Sequence, residues 1–249
     1  MQDRIDFLNI QIDNITMEDA VIRIDQMIQT GVNQYVVTPN IDHIVRLEKD
    51  ELFREIYRQA SLVLTDGQPL IWISRLLGTP IVEKVSGSDL FPKVCEMAAQ
   101  KGYRLFLLGA AEGVAAKAAV NLQKKYKGLQ IAGVYSPPYG FETNQAELKH
   151  IIHILEEAKP HILAIGLGAP KQEKFFFKYR KYLSIPVVLH IGASIDFEAG
   201  NLKRAPEWMR RVGLEWLYRL LMEPGRLAKR YLVDDMAIIK ICWKYRKKR

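Results

Sequence analysis

From Tyr35 to Ile191 the chain alternates short, continuously apolar runs with amphipathic stretches. The runs are Tyr35-Val36-Val37, Leu62-Val63-Leu64, Arg104 to Leu108, Gln130 to Val134, Ile162 to Ile165 and Pro186 to Ile191. A half-exposed strand alternates apolar and polar residues; most of these do not, which predicts strands covered on both faces. Between them, apolar positions recur at helical spacing. Ala20, Ile24, Met27 and Ile28 share one face of a helix opened by Thr16. Leu148, Ile151, Ile152 and Leu155 share one face of a helix opened by Asn144, with Glu147 three residues on. The alternation predicts an α/β fold: an open, mostly parallel, Rossmann-like sheet with helices on both faces. A weaker pattern across Ile5–Ile12 fits an opening hairpin.

Ligands of such sheets bind beyond the carboxyl ends of the strands. The segments that follow the runs are Thr38-Pro39-Asn40, Thr65-Asp66-Gly67, Gly109-Ala110-Ala111-Glu112-Gly113, Gly166 to Glu173, and Gly192-Ala193-Ser194. Each alone is an ordinary helix start after a tight turn. Five on one rim, all marked by Gly or Pro and furnished with Asp, Asn, Gln or hydroxyl groups, point to a polar crevice.

Asp66 is the best acid–base candidate, because a carboxylate at a strand end can be held against a substrate hydroxyl as a general base. The structural alternative is a cap for the helix beginning near Pro69. Gln172 opens a helix after a glycine-rich turn, where free N–H groups suit a phosphate. Simple helix initiation, with Pro170 in the first turn and Glu173 complementing the dipole, is the alternative there. Gly109, Ala110, Gly168, Lys171 and Asp196 are the expected nucleotide contacts. No GxGxxG fingerprint is present, which disfavours a nicotinamide enzyme.

Composition changes this picture in two respects. At 49% hydrophobic and 26% charged the chain is an ordinary globular one, but its net charge of +8 is unevenly spread. From Lys203 onward there are 14 Lys/Arg against 5 Asp/Glu, which leaves 22 against 23 before that point. The basic stretch interleaves Trp208, Trp216, Trp243 and Tyr245 with Arg and Lys beside apolar residues such as Leu217, Leu220, Ile238 and Ile241. That mixture suits an anionic membrane surface; helices packed on the domain with a solvated basic face are the alternative. Its apolar content is high for a nucleic-acid arm, so no nucleic acid is expected.

No apolar run approaches the roughly 20 residues of a spanning helix, and the early acids of the N-terminus fit neither a secretory signal nor a transit peptide. Cys95 and Cys242 lack CxxC spacing and read as small core residues of a reducing compartment. The expectation is a cytoplasmic protein, peripheral on the inner face of the membrane. The five histidines, His150 and His153 included, form neither HxxxH nor HExxH, and there is no Asp-x-Asp triplet. No metal and no cofactor are therefore expected, and a diphosphate would have to be met by protein cations or helix ends.

Taken together, Val37-Thr38-Pro39-Asn40, Thr65-Asp66-Gly67, Glu83 to Leu90, Leu107-Leu108-Gly109-Ala110, Gly166 to Glu173, Arg204-Ala205-Pro206 and Gly213 to Arg219 resemble the WecG/TagA/CpsF glycosyltransferases. The resemblance runs from Ile5 to about Arg230. It implies inverting, metal-independent transfer from a UDP-sugar to a polyprenyl-diphosphate-linked sugar acceptor in cell-surface polysaccharide synthesis. It further implies that Asp66 is the base and that Thr38, Asn40 and Gln172 line the site. Arg219 and Arg226 would complete it over the diphosphate, with Lys229 or Arg230 in the remaining cationic position.

Two departures stand out. Lys84 occupies a substrate-contact position where the family commonly has Arg, keeping the charge but losing the bidentate fork. Gln68-Pro69 follows Asp66-Gly67 where the N-acetylmannosamine transferases usually carry a small residue and Gly, which leaves glucose, glucuronic acid or another hexose open. The expected organisation is a catalytic domain over residues 1–195 and a basic appendage over 196–249 that completes the site; a homo-oligomer is possible. A non-catalytic nucleotide-sugar or polyanion-binding protein is the alternative reading.

Overall fold

The structure is a computed structural model that describes residues 4–246; the side chain of Arg226 lies outside the described set. Strands β1 (Arg4–Phe7) and β2 (Ile10–Asp13) form an antiparallel hairpin in which Arg4 faces Asp13 and Phe7 faces Ile10. The other strands are β3 (Gln34–Val37), β4 (Leu62–Val63), β5 (Arg104–Gly109), β6 (Gln130–Tyr135), β7 (Ile162–Gly166) and β8 (Val187–His190). They make one six-stranded sheet in the order β4-β3-β8-β7-β5-β6. The pairs β3–β8, β8–β7, β7–β5 and β5–β6 are parallel.

Burial explains the sequence pattern. Every residue of β7 and β8 is buried, as is β5 from Leu105 on, so these strands read as unbroken apolar runs. Edge strand β6 is only half-buried. Parallel neighbours need long crossovers, and helices supply them: Gly87–Lys101 packs on β5, Val114–Lys125 on β5 and β6, and Gln145–Ala158 on β6. The side chain of Asn144 accepts from the backbone N–H of Ala146 and of Glu147, the cap its position predicts. Leu148, Ile151 and Leu155 are buried beneath it, while Ile152 is half-buried. The helix Met17–Thr30 buries Ala20, Ile24, Met27 and Ile28. The fold is α/β, as the alternation predicts.

Contacts divide the chain into two compact units. One gathers residues up to Met17, Thr38–Ser86 and the stretch from Arg204; the other gathers Glu18–Val37 and Gly87–Lys203. In the first unit Asp13 is nearly fully buried, pairs with Arg4 at 3.1 Å and accepts the N–H of Val63 at 2.8 Å. The same Arg4 donates to Ala60 O at 2.7 Å, which ties the hairpin to the approach of β4.

The basic C-terminal stretch belongs to this first unit. Its helices are Glu207–Arg211, Glu215–Met222, Pro224–Lys229 and Ala237–Arg246, with a π-helical turn at Arg230–Asp234. The last helix packs on Ile41–Leu47 through buried Ile238 and Ile241. Each such side chain stabilises the contact by roughly 1.5–3 kcal/mol. Glu48 then takes hydrogen bonds from Lys244 Nζ at 2.6 Å, Tyr245 OH at 3.0 Å and Asn9 Nδ2 at 2.9 Å. Among the described residues no helix is long and apolar enough to cross a membrane. Cys95 is buried; Cys242 is half-buried rather than a core residue.

Candidate active site

The loop after β4 is fixed by its own backbone. Asp66 N–H donates to Pro39 O at 2.8 Å, and Val85 N–H donates to Thr65 O at 2.9 Å. The Thr38-Pro39-Asn40 loop, the Asp66 loop and the segment carrying Lys84 are thereby stitched together. The helix that follows, Gln68–Leu76, has Gly67 at its cap position with φ +105° and no side-chain cap hydrogen bond. Asp66 is therefore not that helix's cap, and its half-buried carboxylate belongs to the loop surface.

Asn40 caps the helix Ile41–Leu47 reciprocally with His43: its side chain accepts from His43 N–H, and its own N–H reaches His43 Nδ1 at 3.3 Å. The same Oδ1 accepts from Arg230 Nη2 at 3.3 Å. A residue from the basic stretch is thus brought onto the first strand-end loop. Half-buried Thr38 lies two residues earlier on that loop.

Tyr231 reports what surrounds Arg230. Burial pushes its hydroxyl above the usual tyrosine value; Arg219 and Arg230 pull it back, while Asp66 and Asp235 push it up further. Asp66, Arg219 and Arg230 therefore share one electrostatic neighbourhood. The Tyr231 ring also lies edge-on to Trp216, 6.4 Å away, and 5.6 Å from the Arg230 guanidinium. Of the two residues expected for the last cationic position, Arg230 is turned inward and Lys229 is exposed. Arg226 falls within the helix Pro224–Lys229, and its side chain is outside the described residues.

Lys84 meets a protein carboxylate. Its Nζ lies 3.8 Å from Glu215 Oε2, while Arg204 donates to Glu215 Oε1 through Nη2 at 3.2 Å and Nε at 3.4 Å. Glu215 opens the helix that carries Arg219, so this three-residue contact fixes where that helix begins.

The remaining predicted residues lie in the second unit. Gly109 has φ +123°, and a Cβ there would come within 2.5 Å of Gly166 O. Only glycine fits, because the turn lies directly on the end of β7. Ala110 N–H donates to that same carbonyl at 3.0 Å, and Ser136 Oγ donates to Gly109 O and to Ala111 O, each at 3.0 Å. Gln172 is 4% exposed. Its Nε2 donates to Glu173 at 2.8 Å and its Oε1 accepts Gly192 N–H at 3.2 Å, so it joins the loops after β7 and β8. Gly168 takes φ +75° in the first of those loops. Lys171 pairs with Glu142 at 2.6 Å and sits 4.9 Å from the Tyr139 ring. Glu142 holds the Lys171 ammonium above the usual lysine value. Asp196 is half-buried, and its carbonyl receives the N–H groups of Asn201 and Leu202.

Sequence reasoning passed over Asp42, Tyr231 and Asp235. Asp42 is 6% exposed and accepts from Arg46 Nε at 2.9 Å; the i, i+4 spacing to Arg46, just after Asn40, was its signal. Asp235 is buried and its carboxyl is pushed up to about 6, chiefly by burial, with Asp42 and Asp234 adding to the rise and Arg230 and His43 opposing it. Two adjacent acids inside a basic stretch gave no hint of which one faces inward. Among the described residues no group of three or more His, Cys, Asp and Glu is arranged to hold a metal ion.

The α/β sheet thus carries Asp66 on one strand-end loop and receives Arg230 on the neighbouring one, through Asn40. The chain belongs to the Glycosyl transferase WecG/TagA/CpsF family, whose model matches residues 5–249, and it is a glycosyltransferase. It is 31% identical over 223 residues to an N-acetylglucosaminyldiphosphoundecaprenol N-acetyl-beta-D-mannosaminyltransferase of Bacillus spizizenii, covering 90% of this chain and 83% of that protein. Proteins of the same name match from Bacillus subtilis, at 30% over 85% of this chain and 80% of the relative, and from Staphylococcus aureus, at 28% over 91% and 87%.

Proposed function

We propose that the protein transfers a hexose-type sugar, with inversion and without a metal, from a UDP-sugar to a polyprenyl-diphosphate-linked sugar. The observation that carries this reading is the hydrogen bond of Arg230 to Asn40, on the loop whose Pro39 carbonyl accepts the N–H of Asp66; Asp66, Arg219 and Arg230 all act electrostatically on Tyr231. Asp66 removes the proton from the acceptor hydroxyl as that oxygen attacks the anomeric carbon. The bond from that carbon to the diphosphate breaks in line, and the charge that develops on the departing UDP is met by Arg219, Arg230 and Arg226. Arginine suits this task because its planar fork binds phosphate oxygens in pairs. In the first unit Thr38 and Asn40 contact the acceptor; in the second, Gln172 holds loops that carry Gly109, Ala110, Gly168, Lys171 and Asp196, the nucleotide contacts the resemblance leads us to expect.

Residues 196–249 act as the appendage that completes the site and meets the membrane from the cytoplasmic side. Leu232, Val233, Met236, Ile239 and Trp243 are each at least half exposed, beside exposed Lys240 and Lys244. That pairing of apolar and basic side chains supports an interfacial contact with anionic lipid.

A panel of UDP-sugars, N-acetylmannosamine, glucose and glucuronic acid among them, offered with a short-chain lipid-diphosphate acceptor and read by product mass, tests the reading. Transfer of one sugar with release of UDP is expected. No transfer from any donor, with UDP bound tightly, would mark a non-catalytic binding protein.

A further inference from the structure

Arg230 reaches Asn40 across 190 positions of sequence, and one hydrogen bond donated to an amide oxygen does not orient a guanidinium. Asp42, two residues beyond Asn40 on the helix Ile41–Leu47, faces the same group. Its Oδ2 lies 3.9 Å from Arg230 Nε. That Nε is buried and makes no hydrogen bond among the described residues, so the attraction of a nearby anion is what offsets its loss of water. Asp42 is itself held in place, by Arg46 at 2.9 Å on the next turn of its own helix. Asp235 is a second acid that feels Arg230. Its Oδ1 is buried without a hydrogen bond among the described residues.

We propose that Asp42 is a positioning residue, which holds the Arg230 guanidinium in the orientation that receives the leaving diphosphate. The proposal rests on the reading of Arg230 given above. Asp42 touches neither substrate nor the reacting atoms; it acts through Arg230. A guanidinium turned away by an ångström still binds anion loosely but no longer matches the charge that develops as the bond breaks.

The test uses the full chain, the donor turned over in the panel and the short-chain acceptor, with kcat and KM measured separately. Asp42→Asn is expected to lower kcat by roughly ten- to a hundredfold with KM changed by less than about threefold. Asp42→Glu, which keeps the charge at a shifted reach, should fall between this variant and the parent. In the Arg230→Ala background, Asp42→Asn should cost nothing further, because residues acting as a unit are not additive. Parental kcat in Asp42→Asn beside an impaired Arg230→Ala, or full additivity in the double variant, overturns the role of Asp42 alone. Parental activity in Arg230→Ala overturns the reading of Arg230 and this proposal with it. Should Asp42→Asn not fold, Asp42→Glu decides, and a parental kcat there overturns the proposal.

Discussion

Gly213 lies so closely against Gln68 that a Cβ at 213 would overlap the Cγ of Gln68 and come within 2.8 Å of its Cβ. Gly213 also takes φ +79°, a backbone region that side-chain-bearing residues enter at a cost. Gly213→Ala therefore combines strain with overpacking, each on the order of 1–3 kcal/mol, and is expected to lower the thermal midpoint by several degrees. Adding Gln68→Ala should recover the part of the overpacking due to Cγ and Cδ, and leave the contact with the residue-68 Cβ and the backbone part. A midpoint for Gly213→Ala equal to the parent's would mean that the two side chains do not share this space.

Asp66→Asn keeps the shape of the side chain but cannot take a proton. Turnover is expected to fall by about 10² to 10⁴, or roughly 3–5 kcal/mol, with the fold and UDP affinity unchanged. Turnover within threefold of the parent would remove Asp66 from the role of base.

The cations divide by the direction they face. Arg219→Ala and Arg230→Ala should each lower kcat about tenfold or more, since a developing diphosphate charge is costly to leave unmet where water is excluded. Exposed Lys229→Ala should stay within about threefold. Equal losses at Lys229 and Arg230 would contradict the assignment of the inward position to Arg230.

Asp235 gives the stability a dependence on pH whose sign is fixed. Its native value of about 6 lies above the ordinary 3.8, so between those values the native state holds a proton that the unfolded state has released. Stability contributed at this position is full below about pH 4 and falls as pH rises through 6. Asp235→Asn removes that loss. Its thermal midpoint should exceed the parent's at pH 8 and converge on it near pH 4; a gap that does not change with pH would refute the titration.

The exposed apolar side chains of the basic stretch predict a binding that salt weakens only in part. The parent should co-sediment with anionic vesicles, each nearby basic residue contributing about 1 kcal/mol and the inserted side chains supplying the salt-resistant remainder. Replacing Ile239 and Trp243 by Glu should abolish that remainder without unfolding the chain, because both are about 60% exposed or more. Unchanged sedimentation would assign the contact to charge alone.

The elements buried on both faces were readable from composition, because β7 and β8 have no solvent side to mark with polar residues. The order in which they pair was not, since periodicity carries nothing about neighbours. Asp66 was legible as an acid among apolar residues at a strand end. What Asn40 does was only half legible: its capping follows from its place before Ile41, but the hydrogen bond from Arg230 arises from packing between distant segments. Gln172 reads as a helix opener after a glycine-rich turn, but its burial was not legible, because it comes from an amide that bonds a loop twenty residues on. Glu215 reads as a solvated helix start, yet Arg204 and Lys84 converge on it.

The first unit is discontinuous in sequence, so the proposed base and the proposed cations meet only when remote segments pair. Asp66 is separated from Arg219 and Arg230 by more than a hundred residues. Pairing of such remote segments is slow relative to local folding. A chain cut between Asp66 and Arg219 would keep the proposed base and lose the proposed cations, and no transfer is expected from it.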